Sequence, residues 1–472
     1  MTSADLFMAL PLLLLAIGSL LTLMAGALTR NDRIAYRMAI ATTLVAAFCS
    51  WQIPPDQVAA TSLGLSASVL TRTFTVFFCL LAAGALVFSQ GYNRQRAIGG
   101  EEYPATLLFA TFGMVAVAAA TNLLLLFLGL EAMTFGFYIL VAFDLKRGSS
   151  GEAGLKYLLM GALSAAFLAF GIGLLYCVAG TFELYQTMLL TLGLGPVNPV
   201  ALAGWGCLLI GMAFKLSLVP AHLWTPDVYE GAPAPVVAFL SGGSKGASLL
   251  LLLLLLPQGG DTGLLRLPLW WLALFSMLLG NLAGLLQTRV RRMLAYSSIA
   301  QMGYVVLSLI AGQAVGSGGY QAAAYYALTY GVISLAAFGA IAVLERNGCG
   351  ATLEDYRGRG ATNPLAAAVL TLALLALAGI PPTAGFTGKF LIFASALKSG
   401  EITLAVIGIL TAASSVYYYL RVITKLYFTQ AQGTIGLTVS GGEALVLLAA
   451  SAIIVLLGLF PSPLLDLLQA LG

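Results

Sequence analysis

Long stretches without any charged side chain constrain this sequence more than any other feature. Between Asp5 and Lys389, seven of them enclose more than 20 uncharged residues each, and another, over 293–344, is long enough for two helices hinged at 316–319. A membrane-spanning helix needs about 20 mostly apolar residues, so each stretch predicts at least one crossing of a bilayer. With the shorter apolar runs, we predict an all-α polytopic membrane protein with about fourteen spans, centred near residues 17, 44, 82, 112, 133, 166, 212, 246, 278, 303, 333, 380, 412 and 453.

The composition excludes a soluble enzyme and most redox proteins. Only 8% of the 472 residues are charged and 60% are hydrophobic, so most of the surface cannot face water. The five cysteines form no Cys-x-x-Cys pair for zinc, an iron–sulfur cluster or a redox disulfide, and the one histidine cannot ligate a haem on both faces. We therefore expect no metal and no cofactor bound by this chain. The net charge of +4 does not indicate nucleic-acid binding.

The positions of the basic residues predict the orientation. Assigned to the loops between fourteen spans, fifteen fall in odd-numbered loops and three in even-numbered loops. Since cytoplasmic loops hold the excess of lysine and arginine, we expect odd loops in the cytoplasm and both termini on the outer side. The first stretch is interpreted as a retained span rather than a cleaved signal, because Asp5 precedes it and the arginines follow it.

Four lysines belong to none of these loops: Lys156, Lys215, Lys245 and Lys389. A lysine near the centre of a bilayer helix costs about 2.5 to 3.5 kcal/mol on insertion scales, so it normally faces the bundle interior or a water-filled cavity. Lys156 lies one helical turn past Glu152, where snorkelling or an ion pair with that acid is an equal alternative to a functional role. The other three are too deep to snorkel, and we predict that they are functional.

Glu131 is the one carboxylate that we place near the middle of the membrane. An isolated carboxylate there would bind a proton, whereas a paired one stays ionised. Lys215, two spans further along, is the predicted partner, and at about 4 Å with an effective dielectric constant near 20 the two charges would attract by roughly 4 kcal/mol. A counter-ion that moves would change the proton affinity of the lysine, which predicts a proton-transfer switch.

Prolines are expected to break two spans beside a lysine. Pro220 follows Lys215 by five residues, and the pair at 381–382 precedes Lys389 by seven. Interrupted helices expose backbone carbonyls to a polar cavity, as in transporter ion sites near the bilayer midplane. The breaks fall in spans seven and twelve, five spans apart, which predicts two inverted five-helix repeats. The expected divisions are a three-helix segment over 1–103, repeats over 104–258 and 259–430, and a last span within 431–472.

Other polar residues accompany the lysines. His222 is suited to proton relay because the ordinary pKa of histidine is near 6.5, although a hydrogen-bonded structural role is an equal alternative. Serine, threonine, glutamine and tyrosine residues over 296–304 and 325–330 would hold waters between the lysines or contribute to an aromatic belt at the membrane interface. Asp227 and Glu230 would admit protons from the cytoplasm or lie as solvated loop acids.

Three sequence blocks resemble a known family. Residues 214–235, which contain Phe-Lys-Leu-Ser-Leu-Val-Pro-Ala-His-Leu-Trp-Thr-Pro-Asp-Val-Tyr-Glu-Gly, and the blocks 291–304 and 378–390 are similar to signatures of the antiporter-like membrane subunits of respiratory complex I, NADH:quinone oxidoreductase. The end of the chain soon after span fourteen resembles a shorter member, without the long lateral helix of the largest one. One departure is Ala221, where relatives commonly have a bulky aromatic residue.

This resemblance implies a fourteen-helix fold with two inverted five-helix repeats, and proton translocation driven by quinone reduction in a distant part of the complex. NADH, FMN, iron–sulfur clusters and quinone are then expected in partner subunits. The expected partners are other membrane subunits, both antiporter-like and small, together with lipids of the bacterial inner membrane. The residues that match the proton-translocating positions of the family, the last two with less defined roles, are Glu131, Lys215, Lys245, Lys389, Lys156 and His222.

Two other functions are alternatives. The first is a sodium/proton antiporter of the related multi-subunit type, but sodium requires oxygen ligands and lysines offer none. The second is a passive scaffold that spaces other subunits. A scaffold gains nothing from an insertion cost of about 3 kcal/mol for each deep lysine, so the sequence favours proton translocation.

Overall fold

The structure is a computed structural model that describes residues 3–54, 64–192, 198–256, 263–346, 349–428 and 439–469. The regular elements of these ranges are helical, apart from isolated β-bridges. In chain order the helices are α1 (Ser3–Thr29), α2 (Asp32–Gln52), α3 (Val69–Arg96), α4 (Glu102–Ala119), α5 (Leu123–Val141), α6 (Gly148–Ala179), α7 (Leu184–Leu192), α8 (Pro199–Lys215), α9 (Trp224–Gly231), α10 (Ala234–Phe239), α11 (Lys245–Leu255), α12 (Gly263–Leu286), α13 (Val290–Gly312), α14 (Gly319–Arg346), α15 (Arg359–Thr362), α16 (Pro364–Ala378), α17 (Ala384–Lys398), α18 (Ile402–Tyr427), α19 (Gly441–Leu459) and α20 (Ser462–Leu467).

Twelve helical segments of the described chain are long and apolar enough to cross a membrane. They are α1 to α6, the segment Ala234–Leu255 that runs from α10 into α11, α12 to α14, α18 and α19. The predicted all-α polytopic membrane fold is confirmed at this level. The predicted span centred near residue 212 coincides instead with the shorter apolar helix α8, and residue 380 lies just after the shorter apolar helix α16, before α17 begins.

The centre of the bundle consists of α13, α14 and the segment Ala234–Leu255, whose most apolar windows are 94 to 100% buried. By contrast, α1, α6 and α19 are buried over only 22 to 33% of theirs and expose many leucine, isoleucine and phenylalanine side chains. An apolar surface of this extent is stable in lipid and not in water. Lys245, at the start of α11 in this central segment, is therefore surrounded by other helices.

The turn between the two central helices lies where the sequence predicts it. α13 ends at Gly312 and α14 begins at Gly319. Gly316 and Gly318 have φ angles of 73° and 72°, in the left-handed region that glycine adopts without a steric penalty. This turn reverses the chain, so the polar residues of α13 and α14 face each other.

Backbone irregularities lie beside all three deep lysines. α8 ends at Lys215, and Ser217 then adopts a positive φ of 61°, which is uncommon for a residue with a side chain. A π-helical turn over Leu240–Ser244 immediately precedes Lys245. α16 ends at Ala378, and α17 begins only after the side chain of Thr383 accepts a hydrogen bond from the amide of Phe386. Such irregularities leave backbone groups without partners inside a helix and are frequent at functional sites.

Candidate functional site

Lys215 lies at the carboxyl end of α8 and contacts one face of α5. Its Nζ donates to Oε1 of Glu131 at 3.0 Å and to Oγ1 of Thr134 at 2.6 Å. Glu131 and Thr134 are three residues apart on α5, so both side chains point toward the same neighbour. The predicted ion pair between Glu131 and Lys215 is confirmed.

The two members of this ion pair are buried to different extents. The Lys215 side chain is 1% exposed, whereas the Glu131 side chain is 26% exposed. A lysine this deeply buried depends on its counter-ion to remain charged, because no water can replace the carboxylate. Of the two, the Glu131 carboxylate is therefore nearer to the surface of the chain.

Lys245 occupies a different environment, without a carboxylate partner among the described residues. Its Nζ donates to the hydroxyl of Ser298 in a short hydrogen bond and lies 5.6 Å from the centre of the Tyr229 ring. The hydroxyl of Tyr330 donates to the same serine oxygen at 2.6 Å. All four side chains are buried. Neutral hydroxyl groups and an aromatic face therefore surround this amine.

Lys389 binds the end of a helix rather than a side chain. Its Nζ donates to the carbonyl oxygens of Leu377 at 2.6 Å and Ala378 at 3.4 Å, which are among the last carbonyls of α16. These groups have no partner inside their own helix and carry the negative end of its dipole. The ring of Tyr304 lies 5.3 Å from the same Nζ. The end of α16 thus replaces the acid that a buried ammonium requires.

A chain of buried polar side chains connects Lys245 with Lys389. From Ser298 it passes through Tyr330 to the stacked ring of Tyr326, whose centroid is 6.3 Å away. The Tyr326 hydroxyl donates to Oε1 of Gln301 at 2.5 Å, and Nε2 of Gln301 donates at 3.2 Å to the Leu377 carbonyl that also binds Lys389. Only the step between the two tyrosines lacks a hydrogen bond.

The polar cluster predicted over 296–304 and 325–330 forms most of this chain. Tyr296 is half-buried, and the other members are 3% exposed or less, so they lie inside the bundle and form no interfacial belt. Ser298 and Gln301 face the same side of α13 because they are three residues apart. The buried members of the cluster are Ser297, Ser298, Gln301, Tyr304, Tyr325, Tyr326, Thr329 and Tyr330.

The region around Lys215 is packed with aromatic rings instead. The ring of Tyr157 stacks on Trp224 at 4.6 Å and meets Tyr138 edge-on at 5.0 Å. The hydroxyl of Tyr138 is buried and has no hydrogen-bond partner among the described residues. The surroundings of Lys215 therefore differ from the hydrogen-bonded chain that follows Lys245.

Lys156 lies apart from the three buried lysines. Its Nζ contacts Glu152 at 2.7 Å and Asp227 at 2.8 Å, and its side chain is 45% exposed. The i,i+4 ion pair considered from the sequence is therefore present. Arg292 binds both Asp227 and Glu230, so these two acids are engaged in ion pairs and are not solvated individually. These groups line a polar cavity of about 250 Å³.

His222 has no hydrogen bond or ion pair to any lysine within the described ranges. It is 7% exposed, and its Nδ1 atom has no hydrogen-bond partner there. Ala221 lines an apolar cavity of about 480 Å³ together with Pro220 and Trp271. The structure thus brings Glu131 and Lys215 together and links Lys245 with Lys389, while Lys156 and His222 lie elsewhere.

Several contributors to the site were missed by the sequence analysis. Thr134 carried a usable signal, since it lies one helical turn after Glu131 on the same helix. Tyr229 and the Leu377 carbonyl carried none, because their contacts depend on how distant helices pack. No group of three or more histidine, cysteine, aspartate or glutamate side chains in the described part of the chain is arranged to hold a metal ion.

Comparison with known proteins places this site in a family context. Residues 120–415 match the family described as NADH:quinone oxidoreductase/Mrp antiporter, TM. NADH-quinone oxidoreductase subunit N of Geotalea uraniireducens is 54% identical over 472 residues, which is 100% of both chains.

Two solved structures extend the comparison. A chain of respiratory complex I from Thermus thermophilus is 31% identical with a TM-score of 0.82, and the match covers 97% of this chain and 98% of that chain. A chain of the Mrp complex from Dietzia sp. has a TM-score of 0.84 at 22% identity, covering 100% of this chain and 97% of that chain, which shows a common fold alone. The chain therefore belongs to the transmembrane family of NADH:quinone oxidoreductase and Mrp antiporter subunits.

Proposed function

We propose that this chain is an antiporter-like membrane subunit of a bacterial NADH:quinone oxidoreductase and that it translocates protons through its buried lysines. The full-length similarity to a subunit N relative supports membership of that complex. NADH, FMN, iron–sulfur clusters and quinone would be held by partner subunits, and this chain would contribute no redox centre. Its neighbours would be other antiporter-like and small membrane subunits of the inner membrane.

The observation that carries the proposal is a set of three deeply buried amines with different partners. Lys215 faces a carboxylate, Lys245 a hydroxyl and Lys389 two helix-end carbonyls. Buried charged groups inside a membrane bundle are expensive and mark ion or proton pathways. Amines that face different partners bind a proton with different strength, so a change at one partner would move a proton to the next amine.

The first step would depend on Glu131. At 3.0 Å and an effective dielectric constant of about 20, the attraction between the Glu131 and Lys215 charges is about 5.5 kcal/mol. If the partly exposed carboxylate moves away, the ammonium form of Lys215 loses this stabilisation and the proton is released toward Lys245. The hydroxyl and amide groups between Lys245 and Lys389 then offer a route toward the carboxyl end of α16.

We further propose fourteen spans, with the α8–α9 and α16–α17 pairs each forming one interrupted span. The short lengths of α8 and α16, and the irregular backbone between the members of each pair, support this count. Both termini would then lie outside, with a three-helix segment over 1–103, inverted repeats over 104–258 and 259–430, and a last span within 431–472. Trypsin cleavage after the exposed residue Arg30, between α1 and α2, tests the orientation, because it should occur in inside-out vesicles and not in right-side-out vesicles.

The Mrp-like fold keeps sodium/proton antiport as the second candidate function. Sodium is bound by oxygen ligands, yet an amine contributes the central group at all three buried positions and donates rather than accepts hydrogen bonds. The geometry therefore favours protons. Lys156 and His222 would act at most at the margin of the pathway, since neither contacts the buried amines.

The test is a Lys215→Met variant measured in membrane vesicles. We expect NADH:quinone reductase activity to remain measurable while the number of protons pumped per electron falls. Lys398→Met is the matched control, because Lys398 is exposed at the end of α17 and should change neither quantity. Unchanged pumping in Lys215→Met would support the scaffold function instead, and sodium-dependent transport by the isolated chain would support the antiporter.

A further inference from the structure

An apolar groove runs along the perimeter of the bundle, away from the buried lysines. It lies between α2, α3, α14 and α19 and has a volume of about 370 Å³. Its lining is almost entirely hydrocarbon, and Leu44 and Leu80 on its walls are 46% and 50% exposed. The groove is therefore open to the space that lipid occupies around a membrane protein.

Two arginines lie at one end of this groove. On α2, Arg37, Ile40 and Leu44 follow each other at helical spacing, so the arginine continues the stripe that lines the groove. On α3, Arg94 lies two turns beyond the lining residue Val87 on the same face. Both arginine side chains are exposed, and within the described ranges neither has a hydrogen bond or ion pair.

A hydrogen bond fixes the two arginines at the same level of the bundle. Nδ2 of Asn93 on α3 donates to the hydroxyl of Tyr36 on α2 at 2.9 Å, and both residues are buried. Arg37 and Arg94 are the next residues along each helix. Arg37 and Arg94 therefore lie at one depth on neighbouring helices, each on the face that lines the groove further along.

We propose that this groove binds an acyl chain of an anionic phospholipid whose phosphate is held by Arg37 and Arg94. Leu44 lies about 10 Å along α2 from Arg37, and Leu80 about 21 Å along α3 from Arg94. These lengths bracket the roughly 15 Å thickness of one leaflet of the hydrocarbon core. An apolar groove beside two cations that have no acid partner within the described residues matches an anionic lipid. A protein helix is a poorer match, because its backbone carries no net charge.

Native mass spectrometry of the full chain, with dioleoyl phosphatidylglycerol or dioleoyl phosphatidylcholine added, tests this site. We expect tighter binding of the phosphatidylglycerol. Each arginine near an anionic headgroup contributes a factor of about five, so the double variant Arg37→Gln/Arg94→Gln should weaken phosphatidylglycerol binding by about 25-fold and phosphatidylcholine binding far less. The double variant Arg357→Gln/Lys398→Gln removes the same charge from exposed residues of other elements and should leave both unchanged.

A groove variant separates acyl binding from headgroup binding. Ala449 is exposed and lines the groove. Ala449→Trp should therefore fill the groove without a clash in the core and weaken the binding of both lipids. Equal effects of the two double variants, or unchanged binding in Ala449→Trp, would overturn the proposal. So would a photo-crosslinker at position 449 that captures a neighbouring protein rather than lipid in the assembled complex. The proposal does not depend on proton translocation, and its failure leaves the lysine pathway untouched.

Discussion

Glu131→Gln changes one charge at the proposed start of the proton pathway and keeps the shape of the side chain. The Glu131 carboxylate lies 3.0 Å from Nζ of Lys215, where the attraction is about 5.5 kcal/mol at an effective dielectric constant of about 20. The carboxylate is 26% exposed and partly screened, so we take the lower figure of about 3 kcal/mol that is typical when one partner of a buried pair is removed. A factor of ten corresponds to about 1.4 kcal/mol. In Glu131→Gln, the ammonium form of Lys215 therefore becomes about a hundredfold less favoured relative to the neutral amine than in the wild type.

The assay is proton pumping, measured with a pH-sensitive dye in vesicles that oxidise NADH with quinone. We expect Glu131→Gln to lower the number of protons pumped per electron while quinone reduction continues. Glu152→Gln is the matched control, because Glu152 also pairs with a lysine of a membrane helix but both side chains are exposed. Equal pumping in Glu131→Gln and the wild type would refute the role assigned to the buried pair.

Three further variants test separate parts of the account. Ser298→Ala removes the hydroxyl that accepts hydrogen bonds from Lys245 and Tyr330. Because a hydrogen bond to a charged group contributes about 1.5 to 3 kcal/mol, the pumping rate should fall at least tenfold in the vesicle assay. A wild-type pumping rate would contradict the proposed chain of polar side chains. Arg291→Met breaks a buried ion pair in which the Arg291 and Glu345 side chains lie 3.1 Å apart. The amount of folded protein in the membrane, measured by immunoblot, should therefore fall. An unchanged amount would contradict the structural role of that pair. The hydrogen bond from Lys425 lowers the pKa of Glu354 in an exposed loop, so its contribution to stability is present above the ordinary glutamate pKa and is lost as the pH falls through the lower folded value. Glu354→Gln should therefore lower the thermal midpoint at pH 7 and leave it unchanged at about pH 3, whereas an equal difference at both pH values would count against this contact.

Much of the fold was predictable because charge is expensive in lipid. The charge-free stretches indicated the membrane helices and the turn at 316–319, since each helix must carry about 20 apolar residues across the bilayer. The same cost explains why the Glu131–Lys215 contact was predictable. A lone mid-membrane carboxylate needs a partner, and few cations were deep enough to serve.

The partners of the other lysines were not predictable from the sequence. Ser298 reaches Lys245, and the Leu377 carbonyl reaches Lys389, only through the packing of helices that are distant along the chain or separated by a break. The π-helical turn before Lys245 has no reliable sequence pattern. Spacing left two alternatives open for Lys156. The structure shows the ion pair with Glu152 and a second one with Asp227, on a side chain that is 45% exposed.

The central claim is that a proton passes from Lys245 to Lys389, and it is tested most directly by comparing single and double lysine variants. Protons pumped per electron would be measured for Lys245→Met, Lys389→Met, the double variant and the exposed control Lys398→Met. If both amines belong to one route, each single variant should lower the ratio by the same amount, the double variant should be no worse than either, and the control should match the wild type. A wild-type ratio in either single variant, or additive losses in the double variant, would contradict a single route through both lysines.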